Sequence, residues 1–153
     1  MFILLLAVLL VALGVHAALL EQRTARRIGE IALLYILAGY CGVAMVASSI
    51  ASLVDPDRFA RTHGFPAGSP FQDFAAVALL AMAILSLLAL WYRGTYLVAP
   101  AVCWAVFFGG ATWIHGHQGA STHGGLFAIC ATHGLISVLL IAALHMSGVW
   151  KER

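Results

Sequence analysis

The chain has 153 residues, of which 63% are hydrophobic and only 9% are charged. Soluble domains contain about 45–50% apolar and about 25% charged residues, and a soluble globule of this length cannot cover so much apolar surface. The composition excludes a cytosolic enzyme, a nucleic-acid-binding domain and a disordered tail. It predicts an integral membrane protein whose first partner is the lipid bilayer, and the net charge of +2 without a basic face predicts no nucleic-acid partner.

Five long segments contain no Asp, Glu, Lys or Arg, and each is close to the roughly 20 residues that a helix needs to cross a bilayer. They lack the short alternating pattern of barrel strands. The sequence therefore predicts an all-α fold, one transmembrane domain over residues 1–153 with a four-helix core and an additional N-terminal helix. The five predicted helices cover approximately residues 1–20, 28–54, 73–92, 95–114 and 125–150.

The first segment has two interpretations. Val15, His16 and Ala17 resemble a small-residue cleavage site, which is typical of a signal peptide. However, no basic region precedes the apolar run. A retained first helix is favoured, and a cleaved leader stays the alternative.

The distribution of basic residues predicts the orientation. Positive charge marks cytoplasmic loops, and most of the basic residues fall on one side of a five-helix arrangement: Arg23, Arg26, Arg27, Arg93, Lys151 and Arg153. The opposite side has Arg58 and Arg61. This asymmetry predicts an outside N-terminus and an inside C-terminus for a multipass protein of the bacterial inner membrane.

The second loop contains a helix stop at Asp55-Pro56, followed by a short interfacial helix over residues 57–63. Residues 53–66, L-V-D-P-D-R-F-A-R-T-H-G-F-P, resemble small four-helix bacterial membrane proteins of the DoxX-like kind, in which a long helix often ends in D-P-x-x-F-A before a G-x-P turn. The resemblance covers approximately residues 28–150 and extends to related uncharacterised membrane families. It implies a redox-linked membrane role, often as a partner subunit, and brings no catalytic residue.

Four of the seven histidines are predicted near the outer surface: His63, His115, His117 and His123. Neutral imidazole binds zinc, copper and nickel. If three or four of these rings converge, they form a transition-metal site. The alternative is a set of solvated histidines at helix ends.

The fifth predicted helix has a polar stripe. At 100° per residue, Cys130, His133, Ser137 and His145 fall within a sector about 120° wide, and we expect this sector to face the bundle interior. Ionisable groups inside a membrane are costly and point to function. The alternative is that buried His and Ser side chains make hydrogen bonds between helices.

Depth suggests a second cluster. His16, Glu30 and His145 are predicted at a similar level near the cytoplasmic edge, and they converge if the first, second and fifth helices meet. Together with His133 they are the predicted cofactor-binding residues, with haem ligated by two histidines or a quinone held by His and Glu as the chemistry. His and Glu this close to the interface also reach water by extending toward it.

The sequence thus predicts no catalytic residue and favours an accessory or redox-associated component of the inner membrane. A histidine-based protein binding a transition metal or haem is the alternative, and a small transporter is the second one. Other membrane subunits or a second copy of the chain are the expected protein partners.

Overall fold

The computed structural model describes residues 2–63, 68–117 and 124–151, and every regular element in these ranges is helical. Helix accounts for 90% of the structure, which confirms the predicted all-α class. Six elements form the bundle within these ranges, with the bounds α1 (Phe2–Leu19), α2 (Ala25–Val54), α3 (Pro56–His63), α4 (Pro70–Leu88), α5 (Val98–His117) and α6 (Gly124–Ser147). Two 3₁₀ segments flank the last pair, at Gly94–Leu97 and Val149–Lys151.

Four to five of these helices are apolar enough to cross a membrane. Among the described residues, the four that are also long enough are the spans Ala25–Val54, Pro70–Leu88, Gly94–His117 and Ala128–Ser147. The fifth predicted span, α1, is apolar but shorter. Its 18 residues reach about 27 Å, against roughly 30 Å of hydrocarbon. The length and composition of these helices indicate a helical membrane protein, and its orientation stays a prediction.

The helix ends differ by a few residues from the charge-free segments, because capping groups and prolines set them. Thr24 caps α2, and its Oγ1 accepts a hydrogen bond of 3.2 Å from the Arg27 N–H. The helix therefore begins ahead of the charged residues of its first turns and not after them. Asp55 Oδ1 accepts one of 3.1 Å from the Arg58 N–H and starts α3, as the predicted helix stop requires. Pro70 occupies the first turn of α4.

The second helix is the centre of the bundle. Its first third packs on α6, while its middle and last parts pack on α4, and α1 lies against its middle. Three glycines make these approaches possible, each on a different neighbour: Gly29 on α6, Gly39 on Leu9 of α1 and Gly42 on Leu87 of α4. Small residues allow such close contacts in lipid, where helices gain little from apolar burial against each other.

The middle of α2, Tyr35–Ala44, is π-helical, between α-helical parts on both sides. Its i→i+5 hydrogen bonds turn the chain through a smaller angle per residue than an α-helix does. The π segment therefore changes which residues of α2 face each neighbour. Segments of this kind occur frequently at functional sites.

An aromatic cluster fills the interior beside this segment. Trp104 and Phe108 of α5 stack with ring centroids 5.0 Å apart, and Tyr40 of the π segment meets Phe108 edge-on at 5.9 Å. The Trp104 Nε1–H donates a hydrogen bond of 2.6 Å to Ser86 Oγ of α4. All four side chains are fully buried, so they tie α2, α4 and α5 together.

Candidate functional site

A cavity of about 380 Å³ lies at one end of the bundle, between α1, α2 and the turn that precedes α5. Its volume falls within the roughly 300–1,000 Å³ typical of small-molecule sites. The lining combines charged, hydrogen-bonding and apolar residues, namely His16, Arg27, Glu30, Ile31, Leu34, Arg93, Gly94 and Leu97. We call it the His16–Glu30 cavity.

The polarity of this lining changes along one face of α2. Arg27, Ile31 and Leu34 follow at spacings of four and three residues, which places them on the same side of a helix. Arg27 lies in the first turn of α2, whereas Leu34 lies about 10 Å further along the helix toward the middle of the bundle. The cavity is therefore charged at the end of the helix and apolar deeper in.

His16 is held by a partner on α2. Its Nδ1 lies 3.2 Å from the Tyr35 hydroxyl, and the two rings meet edge-on with centroids 5.8 Å apart. Either the imidazole or the hydroxyl donates this hydrogen bond, depending on the tautomer of His16. The contact fixes the ring of an otherwise exposed histidine at the first residue of the π segment.

Glu30 lies between two guanidinium groups. The Arg26 Nε–H donates a hydrogen bond of 3.0 Å to Glu30 Oε1, while Arg27 Nη1 stands 3.7 Å from Oε2. Both arginine side chains are more than half exposed, so these pairs add little stability. Their effect is on the local charge, because one carboxylate faces two cations.

A further cation comes from the turn before α5. Arg93 lines the cavity, and its Nη1–H donates a hydrogen bond of 3.0 Å to the Ala89 carbonyl oxygen. The next residue, Gly94, has φ +62°, a conformation that glycine adopts without steric cost. This turn places Arg93 in the same lining as Arg27.

A second depression of about 670 Å³ adjoins the first. It is lined by the α1–α2 loop and shares Arg27 and Glu30 with the His16–Glu30 cavity. The Arg27–Glu30 ion pair thus lines both the surface depression and the His16–Glu30 cavity.

The structure brings together two of the three residues that were predicted to cluster near the cytoplasmic edge. His16 and Glu30 share the cavity, whereas His145 is exposed and lies outside the described lining. The reason is rotational. Ala143, Met146 and Ser147 of this turn of α6 pack on Gly29, and His145 lies roughly 200° around the helix from Ala143 and Ser147 and roughly 100° from Met146.

His133 belongs to the other half of the molecule. It lies ten residues before Ala143, about 15 Å along the axis of α6, with its ring against Phe108 at 4.9 Å and His115 at 6.2 Å. The four predicted cofactor-binding residues therefore do not form one site.

The predicted metal-binding histidines are only partly described. His115 is buried and lies beside His133, while His117 is exposed and stacks on Trp113 at 4.1 Å. The side chain of His63 and the whole of His123 lie outside the described residues. Within the part of the chain that the structure describes, no three His, Cys, Asp or Glu side chains are close enough to hold a metal ion.

The polar stripe of α6 does face the interior along its first half. Cys130 Sγ and the Thr112 carbonyl oxygen are 3.4 Å apart, and Ser137 Oγ donates a hydrogen bond of 2.8 Å to the Ala105 carbonyl oxygen. These contacts join α6 to α5. They agree with the interpretation of the stripe as interhelical hydrogen bonding.

A family model described as a family of unknown function (DUF6790) matches residues 1–151. The chain belongs to this family. No curated protein and no solved structure matches the chain. Membership agrees with the predicted uncharacterised membrane family, and the DoxX-like resemblance stays a prediction.

Three polar residues at or beside the cavity in this DUF6790 protein were not among the predicted site residues: Arg27 and Arg93, which line it, and Tyr35, which contacts His16. The sequence contained a signal for the two arginines, since both were predicted on the same side of the membrane as His16 and Glu30. No comparable signal existed for Tyr35, because its contact with His16 depends on how α1 packs against α2.

Proposed function

We propose that this chain is an accessory component of the bacterial inner membrane that holds an amphiphile at its cytoplasmic edge, in association with a redox enzyme. The observation that carries the proposal is the His16–Glu30 cavity, in which charged residues at the helix end adjoin an apolar wall. A molecule with a polar head and an apolar body matches this gradient. The redox association rests on the DoxX-like resemblance of residues 53–66.

The orientation is part of the proposal. The basic residues around the cavity, Arg26, Arg27 and Arg93, belong to the side of the chain with more Lys and Arg. By the positive-inside rule this side faces the cytoplasm, with the N-terminus outside and the C-terminus inside. The cavity then lies at the cytoplasmic headgroup level of the inner membrane.

Native mass spectrometry of the chain, purified from bacterial membranes in a mild detergent, tests whether an amphiphile is bound. We expect one bound molecule per chain, reduced by up to about tenfold in His16→Ala, because the change removes a polar group of the lining together with its hydrogen bond to Tyr35. Leu34→Trp, which narrows the apolar part, should have the same effect. His145→Ala is the matched control, since it removes an exposed histidine at a similar depth outside the described lining.

The outcome that contradicts amphiphile binding is a wild-type chain with no bound molecule, or equal retention in the wild type and both cavity variants. The redox association has its own measurement. A difference spectrum of the material that co-purifies from native membranes should show a flavin or haem cofactor. Its absence from an otherwise intact preparation contradicts the association and leaves amphiphile binding standing.

A further inference from the structure

We infer that the amphiphile is an anionic phospholipid whose phosphate binds between Arg27 and Arg93. This inference rests on the proposed function, because it names the class of molecule that the His16–Glu30 cavity holds. The argument depends on the charges around the cavity, on the geometry of the two arginines and on the cavity volume.

The charges of the cavity do not balance. Glu30 is paired with both Arg26, which donates a hydrogen bond of 3.0 Å to one carboxylate oxygen, and Arg27, which stands 3.7 Å from the other. The lining thus carries two guanidinium cations, Arg27 and Arg93, against one carboxylate, Glu30, which Arg26 also pairs, so positive charge is in excess. A neutral headgroup, such as a quinone ring, leaves this excess positive charge uncompensated, whereas a phosphate diester compensates it.

The two cations are of the type that binds phosphate well. A guanidinium presents up to five N–H donors in a planar fork, and such forks form paired hydrogen bonds with phosphate oxygens. One Nη of Arg93 donates to the Ala89 carbonyl oxygen, which restricts the side chain and leaves other N–H groups for a ligand. Arg27 and Arg93 come from different elements, so a phosphate between them joins α2 to the turn before α5.

The volume and the apolar wall favour a lipid over a free anion. At about 380 Å³ the cavity holds a headgroup and part of a glycerol backbone, but not two acyl chains. Ile31, Leu34 and Leu97 provide an apolar wall that inorganic phosphate does not use. Basic sites between helices at the cytoplasmic level are a recognised way to bind anionic lipid headgroups.

The test adds one lipid at a time to delipidated protein in a neutral detergent and counts bound molecules by native mass spectrometry. Phosphatidylglycerol should bind once per chain, about tenfold more tightly than phosphatidylcholine with the same acyl chains. Arg27→Gln and Arg93→Gln should each weaken phosphatidylglycerol binding by about tenfold, the effect of losing a charge-assisted hydrogen bond. Arg58→Gln, which removes an exposed arginine on α3, should change nothing.

Arg93→Lys keeps the positive charge but loses the planar guanidinium group with its paired N–H donors. This variant should bind phosphatidylglycerol with an affinity between those of the wild type and Arg93→Gln. It also keeps the inference testable if Arg27→Gln, in the first turn of α2, fails to fold by circular dichroism. Equal binding of the two lipids, or equal affinity in all the arginine variants, overturns the inference. Inorganic phosphate that binds as tightly as phosphatidylglycerol overturns the lipid source.

The two proposals fail in different ways. If a short-chain quinone binds and phosphatidylglycerol does not, the anionic lipid is wrong while the amphiphile-binding function stands. If neither lipid nor quinone binds the folded protein, the proposed function itself is wrong.

Discussion

Gly29 of α2 lies directly against the backbone of Ser147 at the end of α6. A methyl group at position 29 would stand 2.5 Å from the Ser147 nitrogen and 2.9 Å from the Ala143 carbonyl oxygen. Backbone atoms cannot move aside as the end of a flexible side chain can. The contact therefore sets the distance between the two helices next to the His16–Glu30 cavity.

We expect Gly29→Ala to lower the free energy of unfolding by about 1–3 kcal/mol, the usual cost of overpacking a tight interface. The measurement is a denaturation titration in mixed detergent micelles. Gly14→Ala is the matched control, because an added methyl group there meets no atom within 4 Å beyond its own stretch of α1. Its effect should be neutral or stabilising, since alanine favours helix more than glycine does. Equal destabilisation by the two changes contradicts the close approach.

Gly39 should behave differently, because its neighbour is a side chain. A methyl group there would lie 2.6 Å from Leu9 Cδ2, an atom at the end of a flexible side chain. We expect Gly39→Ala to cost less than Gly29→Ala, and to cost less still in a Leu9→Ala background. A double-mutant cycle measures this coupling, for which contacting residues typically give about 0.5–3 kcal/mol. Strict additivity of the two changes contradicts direct contact between α1 and the π segment.

The local features of this fold could be predicted, because each depends on neighbouring residues. Asp55-Pro56 ends one helix and starts the next as expected, since the Asp55 carboxylate caps α3 directly. The apolar segments between charges indicated the four helices that are long and apolar enough to span a membrane, and Thr24 and Pro70 lie at the starts of two of them. The angular position of side chains along a long helix could not be predicted in the same way.

His145 shows the reason. The predicted polar stripe treats one face of α6 as buried along the whole helix. In the structure, Cys130 and Ser137 pack on α5, while Ala143 and Ser147 pack on α2. The buried face therefore changes with the neighbouring helix. Sequence periodicity alone does not tell which helix is the neighbour at each level.

The buried hydrogen bond from Trp104 to Ser86 gives a third prediction. Ser86→Ala leaves the indole N–H without its acceptor in a fully buried position. An unsatisfied buried donor costs about 1–3 kcal/mol, and hydrogen bonds in membrane proteins average about 0.6 kcal/mol, so we expect a loss of about 1 kcal/mol. In a Trp104→Phe background, which has no donor, Ser86→Ala should cost much less. The same cost in both backgrounds would show that the hydrogen bond does not stabilise the fold.

The two histidines near the end of α5 should differ in their effect on stability. His115 is buried beside His133, with ring centroids 6.2 Å apart, whereas His117 is exposed. We expect His115→Ala to destabilise by about 1–3 kcal/mol and His117→Ala by less than about 0.5 kcal/mol, as is usual for buried and surface positions. Thermal unfolding in detergent measures both. A larger effect from His117→Ala would favour a structural role for the H-x-H pair, such as the predicted metal site.

The proposed orientation predicts which loops are accessible from outside the cell. Arg58 at the start of α3 and Arg23 in the α1–α2 loop are both exposed. Arg23 precedes α2 in the sequence and Arg58 follows it, so the two residues flank one predicted membrane span. In intact spheroplasts, a membrane-impermeant maleimide should label Arg58→Cys and should label Arg23→Cys only after the membrane is permeabilised. The unmodified chain is the background control for its native cysteines. The opposite pattern would reverse the orientation and place the His16–Glu30 cavity at the outer face, where binding of a cytoplasmic-leaflet lipid is excluded.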